Sequence, residues 1–440
     1  MLLGRLVPQK VEKKMQGMKK TGILQMRLTN FRSYERLNLS LDADLLPVVL
    51  TGHNGAGKTN ILEAISFLSP GRGLRSARLS DVARREDADL RAMAVDGENE
   101  DGFDDDCAFE NAQGASGGTL APQTDACAPS VARLPVRWSV SAQVVTPGGV
   151  VPVGTGTVDG TQRRQVRIDG KTVTKQAALG DVFRCLWLTP AQDRLFCGDP
   201  VSRRRFLDRL VQAFDPAHAL RTSEYNTAFK GWSRLLREGR YDNAWLTGLE
   251  RQMVLNGVAI AASRLDIVER ISKHLSENDL GRFPAPDIEL TGLVEQALLK
   301  KSAVLVEEEF AALLKNGRKI YADGGSVAGP HTADFKVIHR QKNMDAGLCS
   351  TGEQKALLVS IILAEMKAQM KEQGHCPLLL LDEVAAHLDM RRRGELFDIL
   401  SALPTQVWMT GTDPAPFDVL KNRACFYDVE ESVLCKLSAA

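Results

Sequence analysis

The chain has 440 residues, 44% of them hydrophobic and 25% charged, with a formal net charge of +1. This is the composition of an ordinary globular protein, long enough for a substantial core and two or three domains, and it excludes a disordered chain or a polycation. Any contact with nucleic acid must come from a local patch, and no run approaches the ~20 apolar residues of a membrane-spanning helix, so no membrane partner is expected.

Residues 1–21 hold Arg5, Lys10, Lys13, Lys14, Lys19 and Lys20 against one acid, Glu12, with no apolar stretch. They read as a flexible basic tail, or as sequence upstream of a start at Met15, Met18 or Met26. Alternation at Leu24, Met26 and Leu28, and again at Leu37, Leu39 and Leu41, predicts two half-buried strands around a turn at 30–34. The apolar run 46–50 predicts a strand before a glycine-rich segment, and Ile61, Leu62, Ile65 and Leu68 predict a helix after it. Residues 96–130 contain nine acids and no Lys or Arg, and read as a disordered acidic surface insertion, with mimicry of DNA charge as the alternative. Strands resume near 136–145 and 165–168. Helical patterns at 206–214, 244–275 and 293–314 form a mainly helical middle that never sustains the heptads of a long coiled coil. The eight cysteines make no CxxC pair and no ligand spacing with histidine, so reduced thiols in a cytoplasmic protein are expected.

Gly52-His53-Asn54-Gly55-Ala56-Gly57-Lys58-Thr59 satisfies G-x-x-x-x-G-K-[ST] in the strand–loop–helix context of a phosphate-binding loop. Its backbone N–H groups and helix N-terminus suit nucleotide phosphates, Lys58 suits the β and γ phosphates, and the Thr59 hydroxyl suits Mg2+. ATP or GTP binding is expected. The run 377–381 ends in Asp382-Glu383, which predicts a buried central strand delivering Asp382 to the Mg2+ shell and Glu383 to the attacking water. Ser350 and Gly352 open a helix marked by Leu357, Leu358, Ile361 and Ile362. A capped helix start is the common meaning of such residues, and a second anion site the sharper one. Arg203, Arg204, Arg205 and Arg209 begin another helix and offer charge for DNA phosphates, although an arginine run is more often a solvated or subunit-facing surface.

The order of phosphate loop, long insertion, signature loop and acidic strand resembles the ABC ATPase class. Leu28-Thr29-Asn30-Phe31-Arg32-Ser33-Tyr34 is similar to the start of RecF, Rad50 and SMC heads. Asn60 after the phosphate loop, the segment Arg203 to Arg209, and Gly329-Pro330-His331 narrow the resemblance to the RecF family, over about residues 22–416. Three departures stand out: Thr332, Ala333 and Asp334 replace the family's arginine and paired acids; Pro190-Ala191-Gln192-Asp193 stands where the family often has Pro-Glu-Asp, which would make Gln192 a Q-loop-like nucleotide sensor; and no switch histidine accompanies Thr410-Gly411-Thr412-Asp413, which would leave γ-phosphate sensing to Thr410 or Thr412. The resemblance implies an α/β fold, an ABC-type P-loop ATPase head with a parallel core sheet, an N-terminal antiparallel sheet and an inserted, mainly helical second lobe. The head would comprise 22–190 and 326–440, and the lobe 191–325. It further implies nucleotide contacts at Arg32, Asn60, Ser350, Gly352 and Asp389, and Glu383 as the catalytic residue of a weak DNA-dependent ATPase. An ATP-dependent homodimer on double-stranded or gapped and junction DNA is expected, with RecR, RecO and RecA as partners. A tether of the SMC or Rad50 kind would need long heptad arms, and a nuclease with an ABC head would need an appended acidic metal domain.

Overall fold

The computed structural model describes residues 20–84, 137–157, 163–239, 242–276, 283–374 and 376–437. The acidic segment 96–130 and residues 1–19 of the basic tail lie outside the described residues.

The predicted alternation produces strands β1 (Gly22–Phe31) and β2 (Tyr34–Ser40), joined by a tight turn in which Asn30 and Arg32 take left-handed backbone angles, φ 49° and 53°. β3 (Val48–Thr51) leaves for another sheet, whereas β4 (Ser139–Thr146) pairs antiparallel with β1. β5 (Gly149–Thr157), β6 (Arg164–Ile168) and β7 (Lys171–Val173) complete an antiparallel sheet of order β2-β1-β4-β5-β6-β7. Period-2 alternation puts Met26, Leu28, Leu37, Leu39, Val140 and Val144 on its inner face, in one core with helix α1 (Lys58–Ser66).

The central sheet has the order β15-β14-β3-β13-β12-β8. It is built from β8 (Cys185–Leu188), β12 (Leu378–Leu381), β13 (Val407–Thr410), β14 (Cys425–Glu430) and β15 (Val433–Leu437), with β9 (Pro286–Thr291), β10 (Asp334–His339) and β11 (Met344–Asp345) in a separate sheet. All its pairings are parallel except β14 with β15. The four leucines of β12 are buried on both faces, as a central parallel strand requires.

The remaining long helices are α2 (Pro200–Gln212), α3 (His218–Arg237), α4 (Asn243–Ser276), α5 (Ala303–Ala322), α6 (Thr351–Gln373) and α7 (Met390–Ala402). Tyr225, Trp232, Met253, Val258, Phe310 and Leu314 give α3, α4 and α5 their own core. The far end of α4, at Ile267, Ile271 and Leu275, joins α6 in the core of the head. β9 pairs with β10 along its whole length, so a three-stranded sheet straddles residue 325, where the sequence reading ended the helical lobe. A six-residue strand among longer helical patterns gave too short a period-2 signal to be read.

Candidate functional site

β3 ends inside the central sheet and turns directly into α1. Gly57 sits at the helix N-terminus with φ 111°, and a Cβ there would lie 2.7 Å from the Tyr34 hydroxyl oxygen, which donates to the Gly57 carbonyl at 3.2 Å. Gly52, with φ 138°, passes so close to the β14 backbone that a Cβ would come within 2.2 Å of the Val429 carbonyl oxygen. Only glycine meets both demands. Lys58 curls back over the loop and donates to the carbonyls of Gly52 (2.6 Å) and His53 (2.7 Å). Burial lowers its pKa, opposed by Glu383, Asp382 and Asp428. His53, Asn54 and Gly55 are exposed at the loop crest, and Ala56 is buried beneath it.

The acidic pair arrives from β12. Thr59 donates its hydroxyl to both carboxylate oxygens of Asp382, at 2.9 and 3.1 Å, and Thr410, at the end of β13, donates to Asp382 Oδ1 at 2.6 Å. A hydroxyl and a carboxylate converging at the mouth of a phosphate loop are hard oxygen donors, the set that suits Mg2+. Thr410 also accepts the Glu383 N–H at 2.9 Å, and the Lys355 ammonium donates to the Glu383 carbonyl at 3.0 Å. Glu383 has a left-handed backbone, φ 49°, so both of its main-chain groups are tied down where strain of about 1–3 kcal/mol would otherwise relax. Lys355 is 1% exposed and also reaches Asp193 at 3.3 Å. Burial lowers its pKa, opposed by Asp193, Glu383 and Asp382. Sequence reasoning gave no role to Lys355 or Asp193, because a lysine in a helix start reads as a solvated charge. Gln192 spends its side-chain carbonyl on the Thr189 N–H in a capping box, so it is a turn residue here.

The signature loop is a capped helix start. Ser350 donates to Glu353 at 2.9 Å, Glu353 accepts the Ser350 N–H at 3.2 Å, and Lys342 pairs with Glu353 at 2.5 Å, pulling that carboxyl down to about 2. Gly352 lies against the loop after Glu383, where a Cβ would stand 2.8 Å from the His387 carbonyl oxygen. Asp389 closes that loop by capping α7, accepting from the Arg392 N–H at 2.8 Å. Ser350, Gly352 and Asp389 thus share one outer edge, while Lys58, Thr59, Asp382 and Glu383 share the phosphate-loop mouth.

Three of the remaining site expectations change. Arg32 donates through Nε and Nη2 to Glu63 at 2.9 and 2.6 Å and through Nη1 to the Asp81 carbonyl at 2.6 Å. It braces α1 from below, and Arg75 joins it on the fully buried Glu63 while also donating to Asn60 at 3.0 Å. The arginines of α2 turn inward. Arg203 forms a two-point pair with Asp334 (2.8 and 3.0 Å), Arg204 donates to the Ala333 carbonyl (2.7 Å), and Arg209 is sandwiched between the rings of Trp187 and Phe206. Only Arg205 is exposed, and it too has a partner. Arg203 is thus paired with a carboxylate 131 positions along the chain, and Arg204 and Arg209 are drawn into the protein, so α2 is a joint between lobe and head and presents no row of exposed cations. The third change concerns Thr410, one of the two threonines, with Thr412, to which the missing histidine would leave γ-phosphate sensing: it is fully buried and holds Asp382 and Glu383 in place.

A model of the AAA domain matches residues 25–123. The chain is 42% identical over 416 residues to the DNA replication and repair protein RecF of Agrobacterium fabrum, covering 93% of this chain and 97% of that protein. It is 42% identical over 420 residues to the protein of the same description from Mesorhizobium japonicum, covering 94% and 97%. Among solved structures, that of the recombination mediator protein RecF-ATPrS in the RecFOR pathway superimposes with a TM-score of 0.73 at 18% identity, over 96% of this chain and 99% of that one, a likeness of fold. At such identity over nearly its whole length, the chain belongs to the RecF family of DNA replication and repair proteins, of the ABC ATPase type.

Proposed function

We propose that this protein is an ATP-dependent DNA-binding recombination mediator, which dimerises on double-stranded DNA or single-strand/double-strand junctions and helps load recombinase at gaps during replication and repair. The observation that supports it most is the split of the motifs. The phosphate loop, Asp382 and Glu383 form one half of a nucleotide site, and the signature edge faces outward with nothing of its own to bind. The two most exposed large apolar side chains among the described residues, Leu348 (76%) and Met390 (81%), flank Ser350 and Asp389 on that edge. An apolar edge of this kind suits burial by a second copy, whose phosphate loop it would complete.

In that site Lys58 and the loop N–H groups bind the phosphates of ATP, and Thr59 and Asp382 hold Mg2+, which when bound draws charge off the transferring phosphoryl oxygens. Glu383, its backbone fixed by Thr410 and Lys355, orients the water and accepts its proton at a carboxylate oxygen. Ser350 and the first N–H groups of α6 come from the other subunit, so hydrolysis waits for dimerisation. RecR, RecO and RecA are the partners this family membership suggests, and the cytoplasm the compartment.

Binding to labelled gapped, duplex and single-stranded DNA in ATP and in ADP tests the reading. ATP-dependent binding to duplex or gapped DNA, lost in Lys58→Met, is the expected result, with Glu383→Gln accumulating an ATP-bound dimer. Nucleotide-independent behaviour in all three proteins would overturn it.

A further inference from the structure

With α2 turned inward, a DNA surface must lie elsewhere, and the outer face of the N-terminal sheet differs in character from the rest of the head. Arg27 on β1 stands opposite Ser141 on β4, which faces Gly154 on β5, which faces Arg167 on β6. All four project to the side away from the buried Leu28, Val140, Val153 and Val166. Arg36 on β2 pairs with Thr29, two residues along β1 from Arg27, and so belongs to the adjoining row. The three arginines are exposed, and none has a hydrogen-bond or ion-pair partner among the described residues. The positions between them are serine, threonine, glycine, asparagine and glutamine, with no carboxylate on the outward side of β2, β1, β4, β5 or β6. The nearest acids sit at the margins: Glu35 is paired with Arg84 at 3.2 Å, and Asp169 lies in the β6–β7 turn.

We propose that this sheet face is the surface that lies against the phosphodiester backbone of duplex DNA. The inference rests on the DNA-binding reading above and gives it a place. Three strand spacings separate Arg27 from Arg167, about 14 Å, comparable with the roughly 12 Å width of a major groove, so the two reach phosphates on opposite walls. Arg36, in the adjoining row, carries the positive charge one strand further. The small residues between let the backbone approach, and their hydroxyls add phosphate hydrogen bonds without reading bases. The exposed apolar residues of this face, Val150 and Pro152 on β5, stand outside the two rows that hold the arginines, so no apolar wedge of the kind that enters a lipid surface rises between them.

The test uses the full chain, ATP and a labelled duplex across a salt series. The triple variant Arg27→Gln/Arg36→Gln/Arg167→Gln should bind at least about tenfold more weakly at modest salt, and its log K against log salt should flatten by about 0.9 for each phosphate no longer neutralised. ATP binding should be unchanged. A control, Lys300→Gln/Lys315→Gln/Lys319→Gln in the helical lobe, removes the same charge and should retain wild-type affinity. Unchanged affinity and slope in the arginine variant, beside a wild type that binds, would overturn the surface and leave the DNA reading standing. An equal loss in the control would reduce the effect to net charge and also overturn it. Loss of binding to anionic phospholipid vesicles, with DNA binding intact, would assign the face to a membrane instead. A wild type that binds no DNA in ATP would remove the reading beneath it.

Discussion

Lys355 is the side chain whose removal should say most about the site. It is a buried ammonium held between the Glu383 carbonyl and Asp193 Oδ2, and the other oxygen of that carboxylate has no hydrogen-bond partner among the described residues. Lys355→Met leaves a half-buried carboxylate unpaired, so a loss of roughly 1–3 kcal/mol in urea unfolding is expected. If it also positions Glu383, kcat for ATP falls while KM stays near wild type, because Lys58 and the loop are untouched. An unchanged kcat in the folded variant would confine Lys355 to stability. At this scale the sequence was legible where spacing alone defines chemistry, as in Gly52 to Thr59 and Asp382-Glu383. It misled where charge needs a distant partner. Arg203 meets Asp334 131 positions away, and nothing local marks that arginine as half-buried. Arg32 met the same difficulty through Glu63, a residue that reads as a helix surface position.

Elements show why the family motifs of the middle segment exist. Pro330 accepts from Arg264 of α4 at 2.7 Å, and His331 Nδ1 shares a hydrogen bond with the Tyr225 hydroxyl of α3 at 2.7 Å. Arg264 in turn grips Asp208 of α2 at 2.8 and 2.9 Å. Gly329-Pro330-His331 therefore fastens β10 to the helical lobe. Burial, reinforced by the neighbouring Arg204 and Arg264, holds the His331 pKa down at about 4, so the imidazole folds neutral. Its folded pKa lies below the unfolded value of about 6.5, so the contribution is complete above that value and is lost as pH falls toward 4. Urea unfolding at pH 7.5 and pH 5 should show the wild type losing about 2 kcal/mol more than His331→Gln, which cannot titrate. Equal losses would place the pH dependence elsewhere. The 34-residue α4, about 51 Å long, spans the lobe core and the head core. Its extent was plain from apolar periodicity, whereas the division of its two halves between two cores was not, since both halves present the same pattern.

For the whole molecule, the exposed pair beside the signature edge makes dimerisation separable from nucleotide binding. Leu348→Glu/Met390→Glu should keep ATP affinity and monomer stability, both substitutions being on the surface. The rise of ATPase rate per subunit with protein concentration should disappear, and sedimentation in ATP should show a monomer. A concentration-dependent rate surviving in that variant would move the interface to another face. Net charge near zero carries no sign of a local basic surface such as the one proposed on the N-terminal sheet, because Lys and Arg are matched by Asp and Glu over the whole chain. The interleaved central sheet has a further consequence, for synthesis. The N-terminal sheet contains only strands from the first half of the chain and can close as soon as β7 emerges from the ribosome. β3 cannot: its neighbours are β13 and β14, and Thr51 meets Tyr427 across 376 positions. At roughly 5–20 residues per second the ribosome needs about 20 to 75 s to supply them. Throughout that interval the strand that ends in the phosphate loop is an open apolar edge, so the nascent chain must acquire its nucleotide site last, and a chaperone has its longest opportunity there.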